Sequence, residues 1–154
     1  KALTGGVMTL AATACTEEVA QGICRDGMVF MHGPTFMGNA LACAVACASL
    51  DILAEGRWQE QVAMLETALT AGLAPCRELP QVEDVRVLGS IGMVETTRPV
   101  NMAAMQDFFV RRGVWIRPFN RLVYVMPPYV SPREDVERLC AAMYDVLSLP
   151  GMLA

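Results

Sequence analysis

The chain has few charged and aromatic side chains and almost no histidine. Of its 154 residues, 18% are charged and 6% are aromatic, and His32 is the only histidine. The basic side chains are scattered and the net charge is -4, which argues against nucleic acid or an anionic membrane surface as a partner. With 54% apolar residues, the composition is typical of a folded protein and excludes a disordered one.

Long apolar runs are also lacking. The most apolar segment covers residues 40–50, which is too short to cross a bilayer, and Gly38 and Asn39 interrupt the sequence before it. We therefore interpret this segment as a buried helix.

The chain contains no CxxC pair, although it has six cysteines. Cys43 and Cys47 lie four positions apart in an alanine-rich segment, and a helical pair of this kind sometimes binds a metal. The single histidine lies outside that segment, so we expect no metal site and no disulfide. Buried free thiols in a reducing cytoplasm are the favoured interpretation.

The two halves of the chain differ in character. The first 56 residues have few charges and many small residues and methionines, which fits the interior of a larger α/β domain. Val7–Thr13 and Met28–Met31 are predicted to be short strands. Thr16 and Asn39 are predicted N-caps, the second of a helix that runs to about Glu55.

The second half, residues 57–154, is typical of a small α+β domain. Apolar residues at helical spacing predict a helix through Leu65, Leu69 and Leu73. The further predicted elements are a valine-rich hairpin region around Gly89, a helix capped by Asn101 and ended by Gly113, strands over 114–116 and 122–126, and a last helix opened by a capping box at Ser131–Glu134.

Three segments of the sequence carry a family resemblance. They are Lys1–Gly6 (Lys-Ala-Leu-Thr-Gly-Gly), Met31–Asn39 (Met-His-Gly-Pro-Thr-Phe-Met-Gly-Asn) and Gly113–Phe119 (Gly-Val-Trp-Ile-Arg-Pro-Phe). They resemble the fold-type-I, class III aminotransferases, which use pyridoxal phosphate (PLP). The resemblance implies the carboxy-terminal part of that α/β fold: residues 1–56 would end the large PLP-binding domain, and residues 57–154 would form the small domain.

Lys1 is the expected catalytic residue. Taken alone, a lysine at the first position is an ordinary solvated residue. The following Ala2–Gly6 matches the family around its cofactor lysine, which implies that Lys1 binds PLP and moves protons during transamination. The small residues would let the backbone pass close to a planar cofactor.

Gly33, Pro34 and Thr35 form the second expected site. A threonine hydroxyl and its amide are suitable donors to a phosphate, and a preceding proline stiffens the loop. Without the resemblance, Thr35 would be a local capping residue in a turn. The resemblance implies that Pro34 and Thr35 bind the PLP of the neighbouring subunit in a homodimer and that Gly33 lines the substrate site. His32 is interpreted as a structural loop residue.

Arg117 and Tyr124 are the expected substrate-binding residues. An arginine recognises a carboxylate in a bidentate manner, and Pro118 favours an extended conformation at Arg117. On composition alone, a surface ion pair would be the commoner role for Arg117 and packing the commoner role for Tyr124. The resemblance implies instead that both residues lie at the substrate, with Arg117 on its carboxylate.

The context of these motifs is most similar to the branch of the family that acts in biotin biosynthesis. That branch transfers an amino group from adenosylmethionine to 8-amino-7-oxononanoate, giving 7,8-diaminononanoate.

Ala40 replaces a proline, and Asn120-Arg121 replaces Gly-Lys, relative to the family pattern. The family's glycine-rich phosphate turn, stacking aromatic residue and ring-nitrogen aspartate do not occur in these residues, so we expect the chain alone to be inactive. The alternatives are another class III ω-aminotransferase and a catalytically silent fragment that retains a dimerisation surface.

Overall fold

The computed structural model describes all 154 residues and contains two compact units, Lys1–Gly56 and Arg57–Ala154. The helices are α1 Glu17–Ile23, α2 Ala40–Ala54, α3 Trp58–Leu73, α4 Met102–Arg111 and α5 Arg133–Leu147, and the strands are β1 Val82–Leu88, β2 Ile91–Thr96 and β3 Leu122–Val125. Short 3₁₀ turns cover Ala2–Thr4, Arg25–Gly27 and Ala74–Glu78.

Both predicted N-caps of the first unit are confirmed. The Thr16 hydroxyl accepts a hydrogen bond from the N–H of Val19 at 3.4 Å, at the start of α1. The Asn39 side chain accepts one from the N–H of Ala42 at 2.9 Å, at the start of α2. Each cap satisfies an amide that the helix itself leaves unpaired, which is why these helices begin where the sequence predicts.

Two strand predictions in the first unit are wrong. Residues 7–13 and 28–31 belong to no strand, and Val7 is 75% exposed. A β-strand needs a neighbouring strand to pair its backbone, and the first unit contains none. Apolar composition alone could not reveal that the pairing partner is missing.

The prediction that the helix over residues 40–50 is buried is also wrong. Only Ala42 and Ala46 of α2 are buried, whereas Leu41 and Ile52 are well exposed. The turn Ala2–Thr4 packs against one side of α2, and the remaining sides of this nearly uniformly apolar helix stay uncovered within the unit.

The second unit consists of an antiparallel three-stranded sheet, in the order β1-β2-β3, with helices packed on one face. The predicted helix α3, the hairpin and the strand β3 are confirmed. Gly89 has φ +55° in the β1–β2 turn, a backbone conformation that favours glycine. The centre of the core combines residues from the three strands and from α3, α4 and α5: Leu65, Leu69, Leu73, Val85, Val94, Phe109, Val123, Val136 and Met143.

Helix α4 begins as predicted, but the start of α5 does not follow the prediction. The Asn101 side chain accepts a hydrogen bond from the N–H of Ala104 at 3.2 Å, and α4 ends before Gly113, whose φ is +69°. Helix α5 starts at Arg133 with Pro132 in the N-cap position, and no side chain caps it. The predicted capping box is therefore wrong, because a proline at the cap offers no side-chain acceptor.

The predicted strand over residues 114–116 is wrong, because these residues belong to no strand. Their burial still alternates as in a strand, with Trp115 exposed and Ile116 buried. This alternation explains why the sequence resembles that of a strand, although no neighbouring strand pairs with these residues.

All six cysteines are free. Cys76 and Cys140 are buried in the second unit as expected, whereas the other four, Cys15, Cys24, Cys43 and Cys47, are exposed. The expectation of burial therefore fails for the cysteines of the first unit, where much apolar surface is uncovered. No helix of the chain has both the length and the apolar character needed to span a membrane.

Candidate functional site

Arg117 and Tyr124 line one cavity of about 510 Å³ in the second unit. Three segments form its walls: residues 113–117, residues 124–128 at the end of β3, and the first turns of α5. The two residues that were expected to bind substrate are therefore brought together, although they come from different segments of the chain.

The local sequence determines where the Arg117 side chain points. Ile116 and Pro118 are buried on either side of it, and Arg117 itself is exposed. Alternate residues of an extended chain face opposite sides, so the two buried neighbours direct Arg117 away from the core. No hydrogen bond or ion pair engages its guanidinium group, so the alternative role in a surface ion pair is not observed.

Tyr124 is positioned by the register of the sheet. In β3 it lies opposite Met93 of β2, and its neighbours Val123 and Val125 are buried. Tyr124 therefore points to the face of the sheet away from the core, where it is 37% exposed. A packing role in the core, the alternative for this tyrosine, does not fit that orientation.

Three polar residues of α5 or its approach also line this cavity and were not identified from the sequence. They are Ser131, Asp135 and Arg138. Nη2 of Arg138 donates a hydrogen bond to the Arg112 carbonyl at 3.1 Å, which holds the Arg138 side chain at the cavity wall. Two arginines against one aspartate favour an anionic group in the cavity.

Lys1 lines a different cavity, of about 470 Å³, in the first unit. The other lining side chains are small or aliphatic: Ala2, Leu3, Leu10, Ala11, Ala12 and Leu50. The Lys1 carbonyl accepts a hydrogen bond from the Gly6 N–H at 2.9 Å, and Gly6 has φ +85°. The two glycines after Thr4 therefore allow the tight turn that folds the chain back beside Lys1.

Gly33, Pro34 and Thr35 lie on an exposed turn of the first unit. The N–H of Met37 donates to the Pro34 carbonyl at 2.9 Å, which closes the turn. The Thr35 hydroxyl has no hydrogen-bond partner, and Asn39 rather than Thr35 caps α2. Thr35 does not line the cavity of Lys1. Its hydroxyl is thus free for a ligand, and the capping alternative is not observed.

Comparison with known proteins identifies the family. A sequence model of the family described as "Aminotransferase class-III" matches residues 1–147. The chain belongs to the class III aminotransferases.

Among curated relatives, two bacterial proteins named adenosylmethionine-8-amino-7-oxononanoate aminotransferase are similar to the chain. The Corynebacterium glutamicum protein is 53% identical over 146 residues, which cover 94% of this chain and 34% of that protein. The Mycobacterium leprae protein is 47% identical over 152 residues, which cover 98% of this chain and 35% of that protein. The chain therefore spans about a third of the length of these relatives.

Solved structures of transaminases share the fold. A Methanocaldococcus jannaschii adenosylmethionine-8-amino-7-oxononanoate aminotransferase matches with a TM-score of 0.80 and 26% identity. The match covers 93% of this chain and 36% of that chain. An (S)-enantioselective omega-transaminase from Thermomicrobium roseum matches with a TM-score of 0.83 and 29% identity, over 95% of this chain and 35% of that chain. The expected α/β transferase fold is confirmed.

Proposed function

We propose that this chain provides the lysine-bearing and carboxylate-binding parts of an aminotransferase that transfers an amino group from adenosylmethionine to 8-amino-7-oxononanoate. The names of these two curated relatives support this activity. The observation that carries it is the unpaired Arg117, which faces a cavity of about 510 Å³ together with Tyr124. A guanidinium group of this kind is suited to the terminal carboxylate of the oxo acid.

The cofactor of this activity would be PLP, which one structural neighbour, an amine transaminase from an uncultivated Pseudomonas species, holds in its solved structure. The residues present fit it: Lys1 lines a cavity with small and aliphatic walls, and the Thr35 hydroxyl has no partner and can donate to a phosphate. Bound PLP supplies an electron sink for the amino-acid carbon. Lys1 would hold the cofactor and carry the proton that moves during transfer.

We further propose a homodimer working in the cytoplasm, with Pro34 and Thr35 serving the partner's cofactor and Gly33 the substrate. The loop that carries Thr35 supports this arrangement because its large apolar side chains are exposed. Those more than half exposed are Met28, Val29, Phe30, Met31, Phe36 and Met37. An exposed apolar surface of this kind is suited to packing against further protein surface, as a dimer would provide.

A chimaera tests the proposal. In it, this chain replaces the matching segment of the Corynebacterium glutamicum relative, with that relative as the control. We expect amination of 8-amino-7-oxononanoate by adenosylmethionine, and borohydride reduction in the presence of PLP should leave a phosphopyridoxyl group on Lys1.

Two results would overturn the proposed function. A folded chimaera that uses ω-amino acids with pyruvate but does not aminate the oxo acid would favour the ω-aminotransferase alternative. A folded dimer that leaves Lys1 unlabelled would favour a silent fragment with a retained dimerisation surface.

A further inference from the structure

The turn that follows Arg117 is formed by residues 119–122. Phe119 and Leu122 exchange two backbone hydrogen bonds of 2.8 Å each. Asn120, between them, has φ +53°. Asparagine is among the few residues other than glycine that adopt this conformation readily, which explains how it can stand in the turn.

Thr96, at the end of β2, attaches this turn to the sheet. Its N–H donates to the Arg121 carbonyl at 2.8 Å, and Nε of Arg121 donates back to the Thr96 carbonyl at 2.7 Å. The Thr96 hydroxyl lies 3.0 Å from the Arg121 carbonyl oxygen and 2.7 Å from that of Arg98, so it can donate to either. Thr96 is fully buried, and a buried hydroxyl without a hydrogen bond would cost free energy, so this bond is strongly maintained.

Ion pairs hold the same turn from the outer face of the sheet. Nη2 of Arg121 lies 3.4 Å from a carboxylate oxygen of Glu95, whose other oxygen lies 2.9 Å from Nη2 of Arg86. Nη1 of Arg86 lies 2.7 Å from Asp84, and this hydrogen bond lowers the pKa of the Asp84 carboxyl. The side chain of Arg121 is thus fixed at both Nε and Nη2.

Strand β2 is hydrogen-bonded to both segments that carry the cavity residues Arg117 and Tyr124. Tyr124 pairs with Met93 of β2, and the turn that begins two residues after Arg117 is hydrogen-bonded to Thr96 of β2. We infer that Thr96 and Arg121 are positioning residues that hold Arg117 in register with Tyr124 and so set the affinity for a carboxylate-bearing amino acceptor. The inference rests on the proposed function, since it needs Arg117 to bind that carboxylate. Bidentate recognition is geometrically demanding, so a small shift of the turn should weaken it.

The test uses four variants of the chimaera, with Arg117→Ala as the reference for loss of carboxylate binding. Thr96→Val removes the hydroxyl and keeps the volume, Thr96→Ser keeps a hydroxyl, and Arg121→Met removes both the ion pair with Glu95 and the donor to the Thr96 carbonyl. Thr97→Val is the matched control, because the exposed Thr97 hydroxyl lies 3.4 Å from the Gln81 carbonyl and does not touch the turn. The readouts are KM for the oxo acid, the rate of the half-reaction with adenosylmethionine, PLP absorbance and Tm.

We expect Thr96→Val and Arg121→Met to raise KM for the oxo acid about ten-fold, with the half-reaction of the amino donor nearly unchanged. Thr96→Ser and Thr97→Val should behave like the parent. Arg121→Met, at a partly exposed side chain, keeps the test decisive if Thr96→Val does not fold.

Equal losses in both half-reactions, together with a lower Tm, would show a purely structural role and overturn the inference. If Arg117→Ala raises KM for the oxo acid but the Thr96 and Arg121 variants do not, the inference fails and the proposed function stands. If Arg117→Ala itself has no effect on the oxo acid, the proposed role of Arg117 fails, and this inference fails with it.

Discussion

Gly72 of α3 lies directly against Cys140 of α5. A Cβ atom placed on Gly72 would be 2.7 Å from both Cβ and Sγ of Cys140. The absence of a side chain at Gly72 therefore allows the two helices to approach closely, and their contact forms much of the helical layer over the sheet. Cys140 is itself buried, so it has little room to move away.

Gly72→Ala should destabilise the second unit although alanine is the better helix former. The new methyl group would meet the Cβ of Cys140, which moves only with its helix, and such overpacking costs about 1–3 kcal/mol. Urea unfolding of the chain measures the change. The exposed neighbour Ala71 provides the control, since Ala71→Ser should alter the free energy of unfolding by at most about 0.5 kcal/mol. Unchanged stability of Gly72→Ala would contradict the close helix contact.

The six thiols should divide into two reactivity classes. Four cysteines are exposed, whereas Cys76 and Cys140 are buried, and burial raises the pKa of the Cys76 thiol to about 11 and that of Cys140 to about 12. Because the thiolate is the reactive form, an aromatic disulfide reagent at pH 8 should modify four thiols quickly and the other two only after denaturation. Rapid modification of all six in the folded chain would refute this assignment.

The same two thiols should make the second unit less stable at alkaline pH. Their pKa values in the folded chain, about 11 and 12, lie above the ordinary value of 9.0. The stabilising contribution of the protonated thiols is fully present below about pH 9 and is lost as pH rises through the folded-state values. Urea unfolding at pH 8 and pH 10 measures the loss. Cys76→Ala should reduce the pH dependence while lowering stability at both pH values, and an unaltered dependence would argue against this cause.

Helices could be predicted from this sequence more reliably than strand pairing could. N-caps such as Thr16, Asn39 and Asn101 act within a few residues, so their hydrogen bonds follow from local sequence. Strand pairing depends on a distant partner, and for that reason the predictions over 7–13 and 28–31 failed.

The candidate site shows the same limit of local sequence patterns. The motif that surrounds Arg117 predicts that this residue binds a carboxylate, and the structure places Arg117 and Tyr124 on the same cavity. Thr96 could not be found in this way, because its bonds to Arg121 join residues that are distant in the sequence. The only sequence signal at this turn was the departure from the family pattern at Asn120-Arg121, and it does not show that Thr96 binds the turn.

The 154-residue chain alone should not retain PLP. The cavity of Lys1 offers aliphatic walls, and no side chain that lines it other than Lys1 can donate to a phosphate. After addition of PLP and dialysis, we expect no stable visible absorbance band and no turnover. The chimaera provides the positive control. Turnover of the oxo acid by the purified chain would prove this prediction wrong.

Thr35→Ala in the chimaera should weaken PLP binding and leave the fold intact. The loss of one hydrogen bond to a charged group corresponds to about 1.5–3 kcal/mol, and Thr35→Ser should retain most of the affinity. Fluorescence titration of the apoenzyme with PLP measures the effect. Unchanged affinity would exclude the proposed contact with the phosphate.

Mixed dimers test whether Thr35 acts across the subunit interface. One subunit would carry Lys1→Ala and the other Thr35→Ala. If Thr35 serves the partner's site, the Thr35→Ala subunit combines its own Lys1 with an intact Thr35 from its partner, so one site of the dimer is restored. If Thr35 serves its own subunit, both sites are defective, and no site with normal PLP affinity should appear. Titration of purified mixed dimers distinguishes the two arrangements.

Arg117→Ala in the chimaera should selectively impair the reaction of the oxo acid. Loss of a charge-assisted pair with the carboxylate should cost about 2–4 kcal/mol, which corresponds to roughly a thirty-fold to thousand-fold fall in kcat/KM for this half-reaction. Arg117→Lys should restore little, since an ammonium group does not reproduce the two parallel hydrogen bonds of a guanidinium group. Stopped-flow measurement of cofactor absorbance follows the two half-reactions separately.

An amino acceptor without a carboxylate provides the control for this prediction. Its reaction should be nearly unchanged by Arg117→Ala, because the deleted guanidinium group has nothing to bind in that acceptor. The half-reaction with adenosylmethionine should also change much less, unless the carboxylate of the donor uses the same arginine. An equal loss for the carboxylate-free acceptor would show that Arg117 maintains the shape of the cavity and does not recognise the substrate, which would remove the main structural support for the oxo acid as substrate.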